Sequence, residues 1–215
     1  MLSLKHRFAV IVSIAFFICL KSTVLNAREP FMFYGCSGGM MIHSGFISSG
    51  KFNILNSQNE QLTINRTSGM PFGIGGVARV YLLPNFRVGG EGYFSSRRYA
   101  GNSSFCRIAW GGILADWIYD FSYFSFYAGG AIGGGSYTNL SLYTKPKDDY
   151  IVEENASYRK YGFMALTPYV GIEFPLTDKI SLNFMMDVIL NVTHWSNDFT
   201  TGPRLHLGVL FNHYR

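Results

Sequence analysis

From about residue 30 onward, apolar and polar positions alternate with a period of two. Between Ile180 and Thr193 the alternation is cleanest. Ile180, Leu182, Phe184, Met186, Val188, Leu190 and Val192 share one face, and Ser181, Asn183, Met185, Asp187, Ile189, Asn191 and Thr193 share the other. Successive side chains of a strand point to opposite sides, so this pattern is that of a strand with one wholly apolar face. The stretch Gly162 to Phe174 repeats it, with Met164, Leu166, Val170, Ile172 and Phe174 opposite Tyr161, Thr167, Tyr169, Gly171 and Glu173. Eight such segments are predicted: 31–46, 70–83, 86–98, 105–120, 123–137, 160–175, 179–194 and 202–213. Their connections sort into two kinds. The stretches 47–69, 99–104, 138–159 and 195–201 are longer and more polar; they alternate with tight turns at Pro84-Asn85, Asp120-Phe121-Ser122 and Leu176-Thr177-Asp178. That order predicts an all-β, up-and-down antiparallel sheet with its long loops at one end and its turns at the other.

Composition changes the picture from a soluble sheet to a membrane one. Charged residues make up 14% and aromatic residues 17% of the 215, whereas soluble domains carry about 25% charged residues. Disorder is excluded by the same numbers. No apolar run beyond residue 30 approaches the roughly 20 residues of a spanning helix, so any crossing must be made by strands. In lipid every backbone N–H and C=O needs a partner, and a sheet satisfies this only by closing on itself. Closure sends alternate side chains to lipid and to lumen, which accounts for the low charge. Part of the aromatic excess is assigned to interfacial girdles, with Trp117, Tyr119 and Phe121 at one strand end.

Residues 1–27 read as a cleaved secretory signal: a basic start at Lys5, His6 and Arg7, a 13-residue apolar run from Phe8 to Leu20, and a small-residue end at Ala27. Residues 28–215 then form a single barrel domain. Removing the leader leaves 15 basic against 13 acidic residues, a net charge of about +2 in place of +5, which is no nucleic-acid footprint.

With its signal, its eight strands, the small-residue strand Phe126-Tyr127-Ala128-Gly129-Gly130-Ala131-Ile132-Gly133-Gly134-Gly135 and the final strand Gly202 to Phe211, the chain resembles the OmpA/OmpX-like eight-stranded outer-membrane β-barrels. The resemblance implies a transmembrane barrel in a bacterial outer membrane, both termini periplasmic, in contact with outer-membrane lipid and lipopolysaccharide. Such barrels often end in an aromatic residue; here Tyr214 lies one place before the end.

Candidate chemistry lies in two places. By strand parity Arg79, Arg87, Glu91, Asp116, Glu173, Asp187 and Arg204 point into the lumen. An eight-stranded interior is filled by side chains, and buried charges must pair, so a salt-bridged plug is expected ahead of a narrow channel. The second place is His194-Trp195-Ser196-Asn197, which is similar to the His-x-Ser-Asn motif of lipid A deacylases of the PagL type. The resemblance implies Ser196 as nucleophile and His194 as base, and parity puts both on the lipid side. That family orients its His with a Glu in the final strand region. This chain has no acid in its last strand, and Asp198 is the only acid after Asn197. The sequence therefore favours a non-enzymatic structural or surface-interaction protein, monomeric, with an extracellular ligand met through loops 47–69 and 138–159. The esterase and a soluble lipocalin-like carrier remain the alternatives. No cofactor and no metal site is expected, since no metal-ligand spacing occurs. Cys36 and Cys106 fall near opposite ends of a wall about 25 Å tall, so two free thiols are expected.

Overall fold

In the computed structural model, residues 33–50, 52–55, 61–64, 68–99, 104–142, 156–193 and 198–214 are described; residues 1–27, expected to be a cleaved signal, lie outside them. Eight strands run antiparallel: β1 (Gly35–Gly45), β2 (Phe72–Leu83), β3 (Phe86–Tyr99), β4 (Ser104–Asp120), β5 (Ser125–Leu142), β6 (Ala156–Thr177), β7 (Ile180–Val188, continued by Leu190–Asn191) and β8 (Pro203–Tyr214). Each pairs with the next, and β8 pairs with β1 from Gly35↔Tyr214 to Gly45↔Arg204. The ladder is therefore a closed ring with no free edge, as a sheet in an apolar medium requires.

The alternation in the sequence becomes an inside and an outside. Ser181, Asn183, Met185, Asp187 and Ile189 of β7 are buried, while Phe184 and Met186 are exposed. Large apolar side chains cover the exterior on every strand, among them Met40, Ile74, Phe94, Ile113, Ile132, Met164 and Leu205, with Ile113 70% exposed. Around the turn end stand Tyr119, Phe121, Tyr123, Phe126, Phe174 and Phe211, all exposed, together with Trp117 against Phe86 at 5.0 Å. This is the aromatic belt expected there. The rest of the aromatic excess has a different cause. Tyr81, Tyr93, Tyr127, Tyr137 and Tyr169 are buried inside the ring, where their rings fill volume and their hydroxyls meet polar neighbours.

Three boundaries differ from the alternation reading. β5 runs to Leu142 and β6 starts at Ala156; past Thr138 the alternation continues with Asn139 and Ser141 buried and Leu140 between them, and Tyr158 and Lys160 of β6 are exposed, a run short and polar enough to pass for loop. The connection expected over 138–159 thus shrinks to 143–155, which lies outside the described residues. The connection 47–69 is built in part as a hairpin, Ile47–Ser48 pairing with Ser68–Gly69 and Phe52–Leu55 with Gln61–Ile64. The wall is also uneven. β5 and β6 pair over 18 positions, from Glu173↔Ser125 to Ala156↔Leu142, whereas β1 has 11 residues and β8 has 12. At about 3.4 Å per residue and a tilt near 40°, 18 residues rise about 45 Å, well beyond an apolar band of about 25 Å. The excess stands at the loop end.

Glycines serve two purposes. Gly171 faces inward, and a Cβ there would run into the ring of Tyr127. Gly111 faces outward, and a Cβ there would meet the Glu91 carbonyl at an ordinary 3.5 Å. Gly171→Val should therefore lower stability by about 1–3 kcal/mol through overpacking, whereas Gly111→Ala should change it by less than about 0.5 kcal/mol. Urea unfolding of the two variants in lipid vesicles checks the contrast.

Candidate functional site

The lumen is occupied at two levels by ion pairs. At the lower level, nearer the turns, β2, β3, β4 and β6 contribute Arg79, Arg87, Asp116 and Glu173. Arg87 and Asp116 are cross-strand partners, and Arg87 Nε donates to Asp116 Oδ1 at 2.5 Å while its Nη1 donates to Glu173 Oε1 at 2.8 Å. Arg79 faces the same two acids, with Nε 2.9 Å from Asp116 Oδ2 and Nη1 3.6 Å from Glu173 Oε1. Tyr169 donates to Asp116 Oδ2 at 3.1 Å. The ring of Tyr127 lies 4.8 Å from each guanidinium carbon and donates its hydroxyl to Asn183 at 2.7 Å. Two cations and two anions thus neutralise each other out of water, the condition under which buried charge is tolerated.

The upper level is built on β1, β3, β7 and β8. Arg204 and Asp187 are cross-strand partners joined as a fork, Nε to Oδ1 at 2.8 Å and Nη2 to Oδ2 at 2.6 Å, the bidentate geometry that guanidinium and carboxylate favour. His206 Nε2 stands 3.2 Å from Asp187 Oδ1. His43 stacks on His206 at 4.9 Å and meets Tyr93 edge-on at 5.0 Å, and Arg204 lies 4.3 Å over the Tyr93 ring. Glu91 is buried on β3, and its Oε1 has no hydrogen-bond partner among the described residues.

All seven charged residues singled out by parity are thus inside, and six of them meet in ion pairs. Alternation assigns a side chain to a face but carries no information on who meets whom across a ring. Parity places Tyr169 on the face of Glu173, and it assigns Tyr127, His43 and His206 inward too, but it does not say that these four meet the charged clusters.

Above both levels, Asp198 to Thr200, which precede β8, lie in the mouth at the loop end. Asp198, Phe199 and Thr200 are buried although they belong to no strand. Tyr137 donates to the Asp198 carbonyl at 2.9 Å. The Asp198 carboxylate faces Arg159 at 3.1 Å and the Tyr161 hydroxyl at 3.5 Å. Phe199 packs on Tyr137 and Phe163 at 5.5 and 5.0 Å. Thr201 exchanges two backbone hydrogen bonds with Ser48, at 3.0 and 3.1 Å, and its hydroxyl donates to the Ile189 carbonyl at 2.7 Å. Cys106 lies 3.7 Å from the Thr200 hydroxyl at this end, while Cys36 starts β1 at the other; both are free thiols. His194 and Ser196 lie outside the described residues. At the turn end an open hollow of about 460 Å³ is lined by Ser125, Glu173, Ser181 and Asn212, so it reaches the lower ion-pair level.

No family model and no curated protein matches the chain. Solved structures do. Ail, the attachment invasion locus protein of Yersinia pestis, determined in complex with the heparin analogue sucrose octasulfate, is 11% identical, with 84% of this chain and 99% of that chain covered at a TM-score of 0.51. Neisserial surface protein A is 14% identical, with 82% and 98% covered at 0.52. These likenesses concern the fold, which is the closed eight-stranded antiparallel barrel of bacterial outer-membrane proteins.

Asp116 binds both lower arginines, so removing it leaves two buried cations sharing one acid. Asp116→Ala should cost about 3–5 kcal/mol, and the exposed Arg98→Gln less than about 0.5 kcal/mol, both read from urea unfolding in vesicles.

Proposed function

We propose that the protein is a small barrel of the bacterial outer membrane whose lumen is a structural core and whose work is done by its outer surface. The observation that carries this reading is the occupation of the interior. Ion pairs fill it at two levels, and Asp198, Phe199 and Thr200 sit in the loop-end mouth. The apolar exterior and the aromatic ring at the turn end support a membrane setting, with the turns periplasmic and the long connections outside. The tall β4–β6 wall and the 47–69 hairpin then offer the surface for an extracellular partner.

Single-channel recording in planar bilayers tests the lumen. The wild-type barrel should show no unitary conductance steps above the bilayer background; steady open-channel current would overturn the plugged reading. Outer-membrane fractionation and heat-modifiable gel migration test the location, and a protein that folds in detergent-free buffer would sink it. Release of fatty acid from lipid A by wild type but not by Ser196→Ala would replace the non-enzymatic reading with the esterase.

A further inference from the structure

Among the described residues, the seven carboxylates are distributed in a way that leaves one part of the exterior with cations alone. Glu91, Asp116, Glu173, Asp187 and Asp198 are buried, and Asp120 and Asp178 stand at the turn end. At the loop end Arg98, Arg107 and Lys160 face outward and are exposed. They occupy neighbouring places in the ladder. Arg107 of β4 pairs with Thr138 of β5, which pairs with Lys160 of β6. Arg107 also pairs with Ser96 of β3, and Arg98 is the next outward position along that strand. Arg107 and Lys160 are thus two strands apart, with backbones about 10 Å from each other. The Arg107 guanidinium lies 4.3 Å over the ring of Phe105, its neighbour on the same face. No ion pair to any of the three occurs among the described residues.

Below this row the exterior is apolar and unusually low. Four residues toward the turns, the same ladder carries Gly92↔Gly111↔Gly134↔Met164. Cβ atoms at these glycines would sit 3.4 to 3.5 Å from their nearest neighbours, so the wall itself does not demand glycine there. The result is a shallow trough flanked by the exposed Phe94, Ile113 and Ile132. A partner fitting both parts is an amphiphile with an anionic head and hydrocarbon tails. A soluble polyanion would leave the trough empty, and an uncharged lipid would leave the cations unmatched.

We infer that Arg98, Arg107 and Lys160 bind the phosphate groups of a phosphorylated glycolipid of the outer leaflet, with its acyl chains on the glycine trough of β3–β5. Arginine forks suit phosphate oxygens, and two cation positions about 10 Å apart suit a head with more than one phosphate. This rests on the outer-membrane reading and adds a lipid and a place for it.

The test uses the full chain folded in detergent micelles, titrated with bisphosphorylated lipid A and with its dephosphorylated counterpart. Wild type should bind the phosphorylated lipid about tenfold more tightly than the triple variant Arg98→Gln, Arg107→Gln, Lys160→Gln, and the preference for phosphate should disappear in that variant. The charge-keeping triple Arg98→Lys, Arg107→Lys, Lys160→Arg should retain most of the binding, which separates lost charge from a misfolded wall. Equal binding of the two lipids by wild type, equal binding by wild type and the Gln variant, or equally tight binding of a soluble sulfated glycan would overturn the inference. If the barrel shows heat-modifiable migration and outer-membrane fractionation but no phosphate preference, the lipid site falls and the location stands. If it fails those two criteria, both fall.

Discussion

The rest of the structure follows from one constraint: strands in an apolar medium must leave no backbone group unpaired. Closing eight strands satisfies it and fixes everything inside. An interior of this width is expected to hold side chains, and the inward Arg79, Arg87, Asp116, Asp187 and Arg204 are buried although charged. Arg79, Arg87 and Arg204 are among the largest fully buried side chains of the chain. They are tolerated because carboxylates on facing or adjacent strands meet them. The ordinary layout of a soluble protein is turned over in part, with charged and polar residues sharing the core with Met41, Val77, Trp110 and Leu114, and large apolar side chains covering the outside.

This inversion explains what the sequence discloses and what it conceals. Ile180 to Val192 announces its two faces because one of them is wholly apolar, and the same parity assigns Asp187 and Asn183 to the inside. The span of β5 and β6 is less visible. Toward the loop end Thr138 and Lys160 share the outward face with Leu140 and Tyr158, so polar and apolar residues mix on one face and the alternation loses contrast. The inward course of Asp198 to Thr200 has no periodic trace at all, since it depends on Tyr137, Arg159 and Phe163, which lie far away in sequence. Cross-lumen partners are hidden for a related reason: who meets whom depends on strand stagger and circumference, which no single strand encodes. The aromatic excess had two sources, and only the interfacial one follows from composition. Tyr127 and Tyr169 are lumen residues because their hydroxyls reach Asn183 and Asp116.

The exterior is as ordered as the interior. Turn-end aromatics, a mid-wall apolar band and loop-end cations follow one another along the strands of β3–β6. On the outer-membrane reading proposed above, these layers correspond to interface, hydrocarbon and a charged outer face. On β1 and β8 the cationic layer is missing and the strands are short. Among the described residues the β3–β6 side is therefore long-stranded and carries cations at its loop end, whereas the outward faces of β1 and β8 are short and apolar there.

The lower ion-pair cluster has one more consequence. Arg79 on β2 and Glu173 on β6 sit four strands apart in a ring of eight, which is the full diameter, and they approach to 3.6 Å. Barrel diameter grows with the number of strands, so two side chains of limited reach meet across the axis only up to a maximum girth. The pair acts as a calliper: a ring with an extra hairpin, or one flattened into an ellipse along that line, opens the gap and strands two desolvated charges. The interior charges thereby set an upper limit on the girth they span.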